Sequence, residues 1–275
     1  MKKILALALA LVMVLGLFAA CAQKETNKLV MATNAEFPPY EFKEGDSFKG
    51  IDVEIATAIA EKLGMELVIE DVAFGSVLSG VAEGKYDMGM AGITVTEDRK
   101  KTMDFSNTYA TGIQVIIVND GSTIASLDDI FNFDENGDPV SLKNPDMKVG
   151  VQENTTGDIY SSSAVTGWGF NDLNDDDSVK VDRVIRYKTG AEAVSALKSG
   201  KVDCVIIDNE PAKSFVAANE GIHILEGENE YAVEDYAICV KKGNTELLNK
   251  INKALEELKA DGTIDKIIEK YIPSK

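Results

Sequence analysis

Arg99 closes the run Gly92-Ile93-Thr94-Val95-Thr96-Glu97-Asp98-Arg99, in a loop that leaves an apolar strand. A guanidinium placed there forks onto a carboxylate, with help from the Thr94 hydroxyl and neighbouring backbone N–H groups. The same position also suits a surface ion pair with Glu97 or Asp98. A second loop, Gly150-Val151-Gln152-Glu153-Asn154-Thr155-Thr156-Gly157, joins a strand to a helix start. Its N–H groups suit the same anion, although a plain capped helix explains it as well. Asp208 ends the apolar run 202–207, where an unpaired carboxylate is costly and an ammonium partner is welcome. The competing reading for Asp208 is a cap on a helix starting near Pro211. A guanidinium for a carboxylate and a carboxylate for an ammonium together suit a zwitterion such as an α-amino acid. Phe37, Tyr40 and Phe74 lie in or beside loops, and Phe37-Pro38-Pro39-Tyr40 is a stiffened turn. They read as walls for a ligand side chain or, singly, as ordinary core.

Other chemistries find little support. His223 is the single histidine, and Ile222-His223-Ile224 reads as a short strand with the ring outward or hydrogen-bonded. There is no nucleophile elbow, no Cys/His metal spacing and no phosphate loop. Asp134, Asn136 and Asp138 alternate as calcium ligands do, but Pro139 stands where the loop needs Gly and Pro145 where it needs Glu. Asp175-Asp176-Asp177 reads as a solvated turn. Cys204 and Cys239 sit in apolar strand-like runs and read as small buried hydrophobes, not as a disulfide or a metal pair. No cofactor and no metal are expected.

The segments that position these residues alternate β-branched strands with amphipathic helices, the pattern of an α/β protein with mostly parallel sheets. Residues 28–33 start a strand. Residues 52–63 form a helix, with Ile55, Ile59 and Leu63 on one face and Gly64 as its stop. Residues 189–198 form another, opened by Thr189-x-x-Glu192 and closed by Gly200. Asn244 caps a helix carrying Leu247, Leu248, Ile251, Leu255 and Leu258, and Gly262 separates it from a last helix with Ile264, Ile267, Ile268 and Tyr271. An echo runs through the chain: helix, Gly84-Lys85-Tyr86-Asp87, strand 88–93 recurs as helix, Gly200-Lys201-Val202-Asp203, strand 204–207. Each echoed strand ends in polar residues, and ligands of open α/β sheets lie beyond the carboxyl ends of parallel strands. Two such ends facing each other make a cleft. Residues 119–147, with weak periodicity, read as a surface insertion.

Lys2 and Lys3 precede an apolar run, 4–20, that leads through small residues into Cys21, so residues 1–20 read as a processed leader. An uncleaved membrane anchor is the alternative. Phe18-Ala19-Ala20-Cys21 resembles a bacterial lipobox, which implies a diacylglycerol on the Cys21 sulfur and a body held outside the cytoplasm by the linker 21–27. About 250 residues remain, a length suited to two lobes. The formal charge of −18 becomes −20 without Lys2 and Lys3, which argues against nucleic acid or anionic lipid surfaces as partners.

Taken in order, the residues resemble the polar amino-acid family of bacterial solute-binding proteins, the extracytoplasmic subunits of ABC importers. The likeness runs from Leu29 to Tyr271. It is carried by Ala32-Thr33-Asn34-Ala35-Glu36-Phe37-Pro38-Pro39-Tyr40-Glu41-Phe42, Gly50-Ile51-Asp52-Val53-Glu54, Gly84-Lys85-x-Asp87, Ala91-Gly92-Ile93-Thr94-x-Thr96-x-x-Arg99, Asp104-Phe105-Ser106, residues 150–157 and residues 203–208. The resemblance implies a two-lobed α/β periplasmic-binding-protein-like fold with two crossover hinge strands and a ligand cleft between the lobes. Lobe one is expected at 28–110 and 237–275, lobe two at 114–231, with hinges near 109–113 and 232–236.

It also implies roles for single residues. Arg99 would clamp the α-carboxylate, aided by Thr94 and the backbone around Thr155 and Thr156. Asp208 and the Gly92 carbonyl would hold the ammonium. Phe37 and Phe74 would bracket the side chain with Tyr40 behind them, and Gln152 would reach its far end. Asn34 stands where relatives that bind cationic amino acids or glutamine carry Asp, which favours a neutral polar ligand. Glu36, Glu153 or Asp158 would supply charge for a cationic one. The implied partners are a free amino acid and a membrane-embedded ABC permease, with hinge closure as the signal, and a monomer is expected. A dehydratase-like enzyme on the same fold is the remaining alternative.

Overall fold

The protein is described here by a computed structural model covering residues 27–225 and 233–273. The leader, the Cys21 lipobox, the end of expected lobe two at 226–231 and residue 232 of the second expected hinge lie outside the described residues. Two larger sheets carry the fold. Their strands are, in chain order, β1 (Lys28–Thr33), β2 (Glu66–Asp71), β3 (Met88–Gly89), β4 (Met103–Phe105), β5 (Ala110–Asn119) and β6 (Val149–Gln152). They continue with β7 (Val184–Tyr187), β8 (Cys204–Asp208), β9 (Ile222–Ile224), β10 (Val233–Tyr236) and β11 (Cys239–Lys241).

Sheet one has the order β2-β1-β3-β11-β4 and sheet two the order β7-β6-β8-β5-β9, with β10 also paired to β5. In each, three strands run parallel: β2, β1 and β3 in the first, β7, β6 and β8 in the second. The chain passes between the sheets at β4 to β5 and again at β10 to β11. The two passages lie side by side, because β10 pairs antiparallel with the start of β5 from Val233↔Ile113 to Tyr236↔Ala110.

The echo has a physical basis. Gly84 and Gly200 both adopt positive φ, 81° and 69°, and the next residue closes a 6→1 bond, Lys85 N–H to Gly80 O and Lys201 N–H to Ala196 O. The Asp that follows then clamps the neighbouring strand. Asp87 accepts from the Val30 N–H at 2.7 Å, and Asp203 accepts from the Lys148 N–H at 2.7 Å. Each motif thus stops a helix and registers the next parallel strand in its sheet.

The helices are α1 (Ile51–Leu63), α2 (Phe74–Glu83), α3 (Glu97–Thr102), α4 (Thr156–Ser161), α5 (Gly190–Lys198), α6 (Asn209–Ala218), α7 (Thr245–Ala260) and α8 (Thr263–Tyr271). α1 starts at Gly50, whose φ of 121° only glycine adopts readily, and ends at Gly64 in the left-handed region. Its Ile55 and Ile59 are fully buried, each contributing about 2 kcal/mol through the apolar surface removed from water. α7 and α8 pack on α1, so the C-terminus returns to sheet one. Thr189 caps α5 through Glu192 N–H at 3.2 Å, and the Glu192 carboxylate reaches back to Lys188 N–H at 3.0 Å.

Both faces of each sheet are covered. One apolar cluster is continuous from sheet one to sheet two, passing through Tyr40, Tyr109 and Tyr236 near the crossing strands. Cys239 lies in the cluster beneath α2, and Cys204 in the cluster on the far face of sheet two; both thiols are buried and free. Two expectations need correction. The strand expected over 88–93 keeps its ladder only at Met88–Gly89, because Gly92 turns to φ 53° and the segment leaves the sheet, still buried. The region 119–147 is more than a surface insertion: Ile124, Ile130, Phe131, Leu142 and Met147 are buried and complete the far face of sheet two.

Candidate functional site

The carboxyl ends of the parallel strands of both sheets face one narrow pocket, lined by Asn34, Phe37, Glu41, Phe74, Gly92, Thr94, Arg99, Gln152, Thr155, Thr156 and Asp208, with Ala91. Arg99 enters from sheet one. Thr96 caps α3 by accepting from the Arg99 N–H at 3.1 Å, which fixes the residue in the first helical turn. Arg99 is 7% exposed, and its guanidinium stands 5.4 Å from the centre of the Phe74 ring. It donates to Thr94 O at 2.8 Å and across the cleft to Asn154 O at 3.0 Å. The surface ion pair is therefore not formed. Glu97 pairs with Lys100 and Asp98 with Lys101, while burial pulls the Arg99 guanidinium below its ordinary range against the raising field of Glu234.

Asp208 enters from sheet two at the end of β8 and is 4% exposed. It occupies the N-cap position of α6, yet its side chain makes no cap bond; it accepts from the Tyr236 hydroxyl instead. Burial first, then repulsion from Glu234, raise its carboxyl to about 7. The capping explanation for Asp208 thus fails, and its carboxyl group lines the pocket.

Glu234 is a residue that sequence reasoning missed, as it missed Glu41. It lies on β10, is 3% exposed, and gathers groups from three directions on one oxygen. Oε2 accepts from Thr94 Oγ1 at 2.8 Å, Thr156 Oγ1 at 3.0 Å and Gln114 Nε2 at 3.2 Å. The Thr94 hydroxyl, expected to assist at a carboxylate, therefore spends its proton on Glu234.

The far end of the pocket is amide-lined. Gln152 Nε2 donates to Asn34 Oδ1 at 2.8 Å, and Asn34 Nδ2 donates to Val72 O at 3.0 Å. Beneath it, Glu41 and Asp52 are 1% and 0% exposed, close enough for each to act on the other's proton affinity. Burial, then the field of Asp52, raises Glu41 well above the carboxylate range; burial raises Asp52 to about 6. Asp52 Oδ2 also accepts from Gly92 N–H and from Tyr109 Oη, both at 2.9 Å. Gly92 has to be glycine: its φ is 53°, and a Cβ would stand 3.0 Å from Phe37 Cε1.

Of the residues expected at the site, all line the pocket except Tyr40. That ring lies in the core behind Phe37, edge-on to Tyr236 at 5.1 Å, and its hydroxyl donates to Thr111 O at 3.4 Å. Thr155 caps α4 by accepting from Asp158 N–H and also donates to Gln152 O at 2.8 Å. His223 lies in β9 with Nδ1 2.9 Å from Asp120 Oδ1. Asp134 accepts from the N–H groups of Asn136 and Asp138 at 2.8 and 3.0 Å, a turn held by its own backbone. Asp176 takes the same role with Ser178. Among the described residues no helix is long and apolar enough to cross a membrane.

The profile of bacterial extracellular solute-binding proteins, family 3, matches residues 29–274. The arginine-binding extracellular protein ArtP of Bacillus subtilis (strain 168) is 29% identical over 244 residues, covering 89% of this chain and 86% of its own. An ancestral arginine-binding protein solved bound to arginine is 37% identical with a TM-score of 0.74, covering 90% of this chain and 98% of that one. An ancestral amino-acid-binding protein described as a precursor of cyclohexadienyl dehydratase is 28% identical with a TM-score of 0.72, covering 89% and 95%. The matches span nearly the whole described fold, with its two sheets and two crossings, and on that ground the chain belongs to the bacterial extracellular solute-binding proteins of family 3.

Proposed function

We propose that this chain is a receptor that takes a polar α-amino acid between two closing lobes and delivers it to an ABC permease without altering it. The observation that carries the reading is the opposition of Arg99 and Asp208, a buried cation from sheet one and a buried carboxyl from sheet two, at one pocket. Burial makes an unpaired charge costly, so a zwitterion that satisfies both groups stabilises the closed arrangement by contacts an open one does not make. In this reading Arg99, with the backbone at Thr155 and Thr156, takes the α-carboxylate. Asp208 and the Gly92 carbonyl take the ammonium, and Phe37 and Phe74 flank the side chain. Lobe one comprises 28–110 and 237–275, lobe two 114–231, and the hinges are 109–113 and 232–236.

A neutral polar side chain is our first reading, because the amides of Asn34 and Gln152 close the far end. A cationic side chain is the second, favoured by the Glu41 carboxyl at the pocket wall and by the name of the Bacillus subtilis relative. We read the chain as a monomer held to the outer face of the cell membrane by a lipid on Cys21. An enzymatic role, to which the dehydratase precursor points, would be marked by turnover of the bound compound. The test is a thermal-shift screen of protein starting at Gln23, stripped of carried ligand, against the twenty amino acids and cystine. A ligand at a hundred times its Kd adds about 2.7 kcal/mol of stability. One polar amino acid giving that shift supports the reading; no shift with any of them removes it.

A further inference from the structure

We propose that Glu234 is a positioning residue that sets the polarity of the ammonium end of the cleft, a role that rests on the receptor reading above. A threonine hydroxyl carries one proton and two lone pairs. The carboxylate oxygen Oε2 of Glu234 accepts from Thr94 Oγ1 at 2.8 Å and from Thr156 Oγ1 at 3.0 Å. Both hydroxyl protons are thereby committed to the crossing strand, and what each hydroxyl has left is acceptor capacity. Thr156 Oγ1 spends part of that capacity on Gln114 Nε2 at 3.1 Å, whereas Thr94 lines the pocket and its Oγ1 accepts from no group among the described residues. Thr94 also stands two residues after Gly92, whose carbonyl is the other acceptor assigned to the ammonium.

The consequence is a site of fixed sign. Thr94 Oγ1, the Gly92 carbonyl and Asp208 form an acceptor group, while the donors of Arg99 form the opposite end. Glu234 need not touch the ligand to do this. It acts through Thr94, and because Thr94 and Thr156 belong to opposite sheets, the same oxygen registers the two walls against each other. The sequence Val233-Glu234-Asp235-Tyr236 puts Glu234 and Tyr236 on one face of β10. Both are buried, with Val233 and Asp235 exposed, so a single strand face supplies the acceptor for the threonines and the donor for Asp208.

Glu234→Met tests this. A methionine keeps the length but carries no carboxylate oxygen, so the threonine hydroxyls lose the acceptor that takes their protons and are free to turn them toward the ligand. Titration calorimetry would compare wild type and variant with whichever of the twenty amino acids and cystine the wild type binds tightest, and with the des-amino counterpart of that compound. The expected result is a loss of about ten- to a hundredfold for the amino acid and a change of less than about twofold for the des-amino compound. Thr94→Val, which removes the acceptor and leaves Glu234 in place, is expected to give the same selective loss and serves if the methionine variant does not fold. Equal losses for both compounds, or no loss in either variant, overturn the proposal while leaving the receptor reading intact. Failure of the wild type to bind any of the twenty or cystine overturns both.

Discussion

Gln152, at the end of β6 in sheet two, donates its side-chain amide to Asn34, in the loop that follows β1 of sheet one, at 2.8 Å. The bond joins the two walls of the cleft directly, and both residues are buried. Together with Arg99 to Asn154 O at 3.0 Å, it defines a closed arrangement in which opposing loops touch across the ligand pocket.

Gln152→Ala removes that contact and leaves the Asn34 amide oxygen buried without its donor. Because the bond exists only while the walls meet, its loss falls on closure. Ligand affinity is expected to drop about tenfold, with the melting temperature of the ligand-free protein nearly unchanged. Calorimetry and a melting curve on the same sample check both halves; an unchanged affinity would count against closure through this pair.

Acid weakens binding. Asp208 is raised to about 7 by burial and by Glu234, so below neutral pH the ligand-free protein carries a proton there that an ammonium has to displace. Affinity is expected to fall as pH drops below about 7, approaching tenfold per unit for one linked proton. Asp208→Asn should flatten the profile as well as weaken binding. The same group acts oppositely on the empty fold. A folded value raised above the unfolded one stabilises fully below the unfolded value, near 4, and that contribution is lost as pH rises through about 7. Affinity measured from pH 5.5 to 8.5 decides the matter, and a flat wild-type profile would refute it.

A methyl group on the crossing strand is expected to disturb both stability and binding. A Cβ at Gly112 would stand 2.1 Å from Tyr236 Oη, the hydroxyl that holds Asp208. Gly112→Ala should therefore cost about 1–3 kcal/mol of stability through overpacking and weaken ligand binding. Gly121→Ala meets nothing within 4 Å and is the control, expected to melt near wild type.

How much of this was legible depended on whether the signal was local. The helix stop and strand clamp at Gly84-Lys85-Tyr86-Asp87 and Gly200-Lys201-Val202-Asp203 are encoded within four residues, so the echo could be read from the chain itself. Arg99 and Asp208 were readable as candidates because each charged group borders an apolar run, but position alone left a surface ion pair or a helix cap in play; the fold settles these only by burying both. Glu234 carried no such mark. It is one acid in Val233-Glu234-Asp235-Tyr236, and its meaning comes from Thr94, Gln114 and Thr156, contributed by separate segments far apart in the sequence. Glu41 was hidden for a related reason, since the aromatic and proline residues around it account for the turn without it. Residues 119–147 misled because their apolar positions follow no single period, although they cover a sheet face.

The central claim is that one amino acid bridges Arg99 and Asp208, and titration calorimetry of the stripped protein tests it most directly. The account predicts a single site per chain for a polar amino acid, with affinity reduced by at least about a hundredfold in Arg99→Ala and again in Asp208→Ala, each of which removes a charge-assisted contact. Wild-type affinity retained in both variants would contradict it and move the ligand away from this cleft.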